Sequence, residues 1–165
     1  MTGVISTERL LLTPLHADDA EAMAGVLADP DLYVFTGGAP PTVDELRARY
    51  ERQTVGRSPD GRERWLNWVV RTASDRAPVG YVQATVVHDG GLAEVAWVVG
   101  TPWQGRGYAG EAARAVVGWL REHGVRRIVA HVHHDHAASA AVALVAGLAP
   151  SGVYDDDEQR WVLER

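Results

Sequence analysis

Cysteine and lysine are both missing from this 165-residue chain. Without thiols there is no disulfide, no thiolate metal site and no covalent acyl-cysteine step. All sixteen basic residues are arginine, and against 22 acids they leave a net charge of −6. An acidic surface is a poor match for a phosphate backbone, so no nucleic-acid partner is expected. Long apolar runs are missing too. None approaches the ~20 residues of a bilayer span, and the opening Met1-Thr2-Gly3-Val4-Ile5-Ser6 lacks the basic-then-apolar order of a secretion signal. No membrane partner is therefore expected, and a cytoplasmic location is. No repeat, low-complexity tract or linker divides the chain. Residues 1–165 are read as one domain whose 46% hydrophobic content suits a single core.

The elements follow from periodicity and punctuation. Leu10–Leu15 has strand character, and Asp18-x-x-Glu21 forms a capping box ahead of Ala20, Met23, Ala24 and Leu27 at helical spacing. Asp29-Pro30 ends that helix and leaves 29–41 as a loop. A second box, Thr42-x-x-Glu45, opens a helix with Val43, Leu46 and Tyr50. After the turn Ser58-Pro59-Asp60-Gly61, a meander of three strands is expected at Trp65–Thr72, Val79–Val87 and Leu92–Val99, the last entered through Asp89-Gly90-Gly91. Ala109, Ala112, Ala113, Val116, Val117 and Leu120 form one apolar helical stripe that Gly124 stops. Val125–His133 is a strand, Ala137–Ala146 a helix, and Val153-Tyr154 with Trp161–Leu163 a hairpin around the acidic turn Asp155–Glu158. This is an α/β fold, a mixed sheet with helices on both faces. The acidic turn is a solvated turn in this reading, since a Ca²⁺ loop needs alternating ligands, a glycine and a distal glutamate.

The most informative stretch is Trp97-Val98-Val99-Gly100-Thr101-Pro102-Trp103-Gln104-Gly105-Arg106-Gly107-Tyr108-Ala109, a strand passing through a glycine turn into the long helix. Unpaired N–H groups and partial positive charge at a helix N-terminus suit a diphosphate, and the glycines let backbone approach it. Taken alone, Gln104-x-x-Gly107-x-Ala109 also fits an ordinary loop-to-helix junction. In this order of elements it resembles motif A of the GCN5-related N-acetyltransferases (GNAT), the Gln or Arg, two residues, Gly, one residue, Gly or Ala pattern. Ala93–Val99 resembles the family's fourth strand, Gly124–Ile128 its turn into strand five, and Asp135–Leu148 its last helix. Thr7–Leu15 is similar to the opening strand of the branch holding ribosomal-protein N-terminal and small-amine acetyltransferases.

The resemblance implies a single-domain GNAT fold, its mostly antiparallel mixed sheet splayed between strands four and five. It implies acetyl-coenzyme A as cosubstrate, with Gln104, Gly105, Arg106, Gly107, Tyr108 and Ala109 holding the pyrophosphate. Val98 and Val99 would pair with the pantetheine arm, and one of their N–H groups would meet the developing oxyanion. Glu94, a carboxylate in an apolar strand, becomes the candidate base, directly or through water; its other reading is a solvent-facing or arginine-paired strand residue. Relatives carry Asn-x-x-Ser at the last helix. Here the string is His136-Ala137-Ala138-Ser139, so His136 and Ser139 are the candidates beside the arm. Tyr154 and Ser139 are candidate acids for the leaving thiolate. Tyr33, Phe35, Trp97 and Trp103 are candidates for the acceptor or cofactor channel, with core packing as the alternative for the tryptophans.

The expected reaction is direct attack of a primary amine, from a small molecule or a protein N-terminus, in a ternary complex of bacterial type. Without lysine, self-acetylation on a side chain is excluded. A homodimer stays open. A non-catalytic acyl-coenzyme A-binding module of the same fold is the second reading, motivated by the replaced asparagine. The third rests on His131-Val132-His133-His134-Asp135-His136, which satisfies the His-x-His-x-Asp-His zinc motif of the metallo-β-lactamase superfamily. Only 29 residues follow His136 and none is histidine, so the remaining ligands of such a hydrolase are missing and no metal is expected. In the plainer reading His131 and His133 share a strand face and Asp135 caps the next helix.

Overall fold

A computed structural model describes residues 2–87 and 89–164. Eight strands, β1 (Ile5–Ser6), β2 (Leu10–Pro14), β3 (Glu63–Thr72), β4 (Pro78–Val87), β5 (Leu92–Val99), β6 (Arg127–His133), β7 (Ala149–Asp155) and β8 (Glu158–Glu164), form one sheet in the order β1-β2-β3-β4-β5-β6-β8-β7. Every neighbouring pair is antiparallel except β5 with β6. The helices are α1 (Ala20–Val26), α2 (Val43–Gln53), α3 (Tyr108–Glu122) and α4 (Ala137–Val145). The short β1 escaped the sequence reading, so the splay expected between the fourth and fifth strands falls between β5 and β6.

Helices lie on both faces of the sheet, but its central strands alternate: Leu66, Trp68, Val82, Ala84, Ala93 and Val95 are buried, while Asn67, Gln83, Thr85 and Glu94 between them are not. On one face α3 lays Ala112, Ala113, Val116, Val117 and Leu120 against Trp68, Val70, Val82 and Ile128. Burying an aliphatic side chain of this size contributes about 1.5–3 kcal/mol. The indole of Trp68 is fully buried and donates to the Gly3 carbonyl at 2.8 Å. Gly110, rather than Ala109, begins the buried stripe of α3; a Cβ there would stand 3.1 Å from Val145 Cγ1 on α4. On the other face α1 and α2 bring Met23, Leu27, Leu46 and Tyr50 onto Val69, with Tyr81 and Val98 packed against them.

Most boundaries agree with the local signals, and the departures have local causes. The Thr42/Glu45 box closes with both hydrogen bonds in place. The first box does not form at Asp18 and Glu21: Asp19 accepts from the His16 N–H at 2.9 Å and pairs with Arg71, so a 3₁₀ turn, Ala17–Asp19, precedes α1. Within 29–41, Asp29 accepts from Asp31 N–H and caps a 3₁₀ turn, Pro30–Tyr33. The cap of α4 is His136, not Asp135; the Asp135 carboxylate is 2.9 Å from His134 Nδ1 instead. At the sheet's outer edge β7 is exposed throughout, and its pairing with β8 breaks between Pro150 and Tyr154.

Candidate functional site

β5 has two unlike edges. Toward β4 it is matched from Ala93 to Val99, and toward β6 only Leu92, Ala93 and Glu94 find partners. Beyond Glu94 the strands part. The Gly100 N–H donates to the Val79 carbonyl at 2.8 Å, and antiparallel alternation carried back from there turns the backbone groups of Val98 toward Tyr81 and those of Trp97 and Val99 into the gap. Of the two proposed oxyanion donors, Val99 therefore faces the open side and Val98 faces β4. The side chain of Gln104 reaches back and donates to the Val99 carbonyl at 2.9 Å, tying the loop to the strand end.

The loop itself is built on backbone conformation. Gly105 (φ +78°) and Gly107 (φ +81°) are both left-handed, a region costly for side chains carrying Cβ. Gly107 is the N-cap residue of α3, so the N–H groups of Tyr108, Ala109 and Gly110 stand at the unsatisfied end of a 15-residue helix. This cradle fits an anionic group by its donors, by the end charge of the helix and by the bare glycines, and it opens onto the gap.

An unforeseen clamp holds the cradle from behind. Glu111, in the first turn of α3, accepts from Thr7 Oγ1 at 2.6 Å, from the Arg9 backbone N–H at 3.0 Å and from Arg9 Nε at 2.7 Å. Arg9 Nη1 then donates to the Arg106 carbonyl at 2.8 Å, while the guanidinium lies 4.9 Å over the Tyr108 ring. Burial pushes the Glu111 carboxyl up, but the hydrogen bonds from Thr7 and Arg9 outweigh it and hold the group below its ordinary value of 4.5. No local pattern marks this clamp, because its partners are 102 to 104 residues apart.

Through the gap runs a cavity of about 860 Å³, lined by residues of both sheet faces. Of the sequence candidates it brings together Glu94, Trp97, Val98, Val99, Trp103, Gln104, Gly105, Gly107, Tyr108, Ala109, His136 and Ser139. It does not bring in Arg106, which contributes its carbonyl to Arg9, or Tyr154, which is exposed on β7. Tyr33 is also outside the lining, because its hydroxyl turns back to donate to the Leu27 carbonyl at 2.9 Å. The other candidate for that wall, Phe35, is in the lining, joined by Leu32. Phe35 stacks on His136 with ring centroids 4.4 Å apart, so the loop after α1 reaches across to the head of α4.

Glu94 shares a face with Ala96 and Val98, and its Oε1 lies 3.0 Å from His131 Nδ1 across the mouth of the gap. The other ring nitrogen, Nε2, is 3.2 Å from Asp155 Oδ2, and Arg160 donates to that same oxygen at 3.0 Å. His131 therefore links the carboxylate on β5 to the hairpin of β7 and β8. The His136 Nδ1 accepts from the Ser139 N–H, which in neutral imidazole leaves the proton on Nε2 as a free donor. Burial, aided by the nearby His133, lowers the pKa of His136 and keeps it neutral over a wider range.

Among the described residues one group of histidines lies close together. His133, His134 and Asp135 lie close enough to share an ion, yet the His133 Nδ1 lone pair is taken by the Asp135 N–H at 3.1 Å. That bond places the proton of neutral His133 on Nε2, where a metal would need the lone pair. His134 directs Nδ1 to Asp135, and its Nε2 stands 3.9 Å from Asp157 on the exposed turn.

Known proteins share this architecture. Residues 9–149 match the model of the acetyltransferase (GNAT) domain. No curated protein matches the chain. Among solved structures, a GNAT-family acetyltransferase from Bacillus anthracis superposes with a TM-score of 0.82 at 20% identity, covering 98% of each chain. The ribosomal α-N-protein acetyltransferase RimL in complex with coenzyme A gives 0.82 at 15% identity over 98% of this chain and 97% of that one. A chimera of the Vibrio cholerae spermidine N-acetyltransferase SpeG gives 0.76 at 16% identity over 94% and 95%. At these identities the superpositions speak for the fold, and the domain match for the family. From the glycine cradle, the parted strands and the 9–149 match together, the chain belongs to the GNAT family of acetyl-coenzyme A-dependent N-acetyltransferases.

Proposed function

We propose that this chain moves an acetyl group from acetyl-coenzyme A directly to a primary amine, with Glu94 and His131 handling the amine's proton. One observation carries the reading: β5 leaves β6 after Glu94, so cradle, free strand edge and carboxylate open into a single cavity. The N–H groups of Tyr108, Ala109 and Gly110 and the bare backbone at Gly105 and Gly107 would hold the pyrophosphate. The free edge of β5 at Trp97 and Val99 would receive the pantetheine arm, with His136 Nε2 and Ser139 on the opposite wall. When bound, the coenzyme supplies a thioester carbonyl as acyl donor. The gap-facing N–H of Val99 is the donor for negative charge on that oxygen.

The amine determines how much a base matters. A lysine-like amine with a pKa of about 10.4 is neutral in roughly one molecule in a thousand near pH 7.5, a deficit of about 4 kcal/mol; an α-amino group near 7.8 loses a few tenths. Glu94 accepts that proton. His131, held between Glu94 and Asp155, positions the carboxylate toward the cavity. With no cysteine in the chain, the acyl group passes without a thioester on the protein. A small-molecule amine or a protein N-terminus both suit the opening beside Glu94.

Calorimetry with coenzyme A and thiol release across a panel of amines test the proposal. Binding together with thiol release from at least one amine class is the expected result. Tight binding with no release from any amine would make the chain a non-catalytic acyl-coenzyme A-binding module, and no heat at millimolar coenzyme would remove both readings.

A further inference from the structure

A second, smaller cavity of about 260 Å³ lies between α2 and the faces of β3 and β4, and it shares Tyr81 and Gln83 with the large one. Six polar side chains converge on it: Arg49, Tyr50, Gln53, Asn67, Tyr81 and Gln83. None makes a side-chain hydrogen bond among the described residues, and none leaves an unpartnered atom sealed from water. Arg47 pairs with Asp44 and Arg71 with Asp19, while Arg49 forms no ion pair among the described residues. Arg49 is exposed to solvent and also lines the pocket, so its guanidinium stands at the pocket's open side. No acid lines this pocket. The large cavity has the opposite character, with Asp31, Glu94 and Glu158 in its lining and no arginine.

Register gives the spacing between the two ends. Glu94 stands opposite Thr85 and Trp65, while Ala96, Gln83 and Asn67 form the next row on the same face. From Glu94 to Gln83 or Asn67 is two residues along the strand and one or two strands across, about 8–12 Å. An open polar row thus joins an acidic end, where the amine reacts, to a cationic end rich in amide and phenol donors.

We propose that Arg49 and its pocket form an anion subsite of the acceptor, so that the preferred acceptor is an amine carrying a carboxylate or phosphate group remote from its nitrogen. The inference rests on the transferase reading for its kinetics. An α-amino acid is too short to use both ends. A longer ω-amino acid, an aminoalkyl phosphonate or a peptide with an acidic residue after its N-terminus is long enough.

The test pairs each acidic amine with its uncharged amide in a thiol-release assay, using ω-amino acids of increasing chain length and the matching aminoalkyl phosphonates. The acid is expected to exceed its amide in kcat/KM by about ten- to hundredfold, the range for a charge-assisted hydrogen bond, with an optimum at chains that span the two ends. Arg49→Met should abolish this preference and Arg49→Glu should reverse it. Which anion is favoured identifies the group. Equal kcat/KM for acid and amide in the natural protein, or a preference that survives Arg49→Met, overturns the proposal. Should no amine release thiol, the transferase reading fails, and the subsite is judged alone by calorimetry of adipate against the coenzyme A-saturated protein. Heat that Arg49→Met removes supports it, and no heat overturns it.

Discussion

Along one side β5 is stitched to β4 through seven register pairs; along the other, to β6, through three. The sealed edge is a matter of sterics. Gly80 sits so close to β5 that a Cβ would lie 2.2 Å from the Val98 carbonyl. The open edge is a matter of free groups, offering both backbone groups of Trp97 and the N–H of Val99 to whatever enters, while the Val99 carbonyl is held by Gln104. The seven pairs to β4 hold the strand in place, and the edge beyond Glu94 stays free.

The severest way to break this contrast is Gly80→Val, which drives a branched side chain into the Val98 carbonyl. We expect a loss of about 4 kcal/mol or more, read as a lowered denaturant midpoint, with α3 and the cradle failing in the same transition. Next comes Glu94→Gln at the mouth of the open side. It should lower kcat by roughly a hundredfold or more for lysine-like amines and far less for α-amines, while calorimetry finds coenzyme A affinity within about twofold. An equal loss for both amine classes would remove the proton-accepting role.

Gly107→Glu sharpens the comparison from the cradle side, since it strains a left-handed position and adds a carboxylate where an anion should sit. Coenzyme A affinity should fall about a hundredfold, with a modest drop in melting temperature from about 1–3 kcal/mol of backbone strain at φ +81°. Acid should loosen the same region. The Glu111 carboxyl is depressed in the folded chain, so its contribution is complete above the ordinary value of 4.5 and is lost as pH falls through the lowered one. Glu111→Gln should flatten that acid limb in a melting series. The smallest effect expected is for His136→Ala, which removes the α4 cap at a cost of about 1 kcal/mol by thermal melting. His136 favours its neutral form when folded, so its contribution holds above its ordinary value of 6.5 and declines below it.

What could be read in advance was local. Gly105, Gly107 and the stripe from Ala112 to Leu120 announce a turn and a helix within a few residues of themselves, and the Thr42/Glu45 box does the same for α2. Strand limits at Leu92 and Val99 also came through, because a glycine turn bounds each end. What could not be read depends on contacts between distant segments. Nothing near Thr7 or Arg9 points to Glu111, and nothing near His131 says that its neighbours will be Glu94 and Asp155. Tyr33 and Phe35 are two residues apart and equally aromatic. Only the 3₁₀ turn of Pro30–Tyr33 decides that Tyr33 braces α1 while Phe35 reaches His136. Spacing pointed to Asp18 and Glu21 for the first cap, whereas Asp19 makes it, accepting from the His16 N–H while it pairs with Arg71 on β3.

β7 forms one outer edge of the sheet. A foreign strand approaching β7 would meet Pro150, which offers no donor, and then a ladder out of step until Tyr154. The flank of the sheet therefore offers edge-to-edge pairing only a short run of aligned backbone groups.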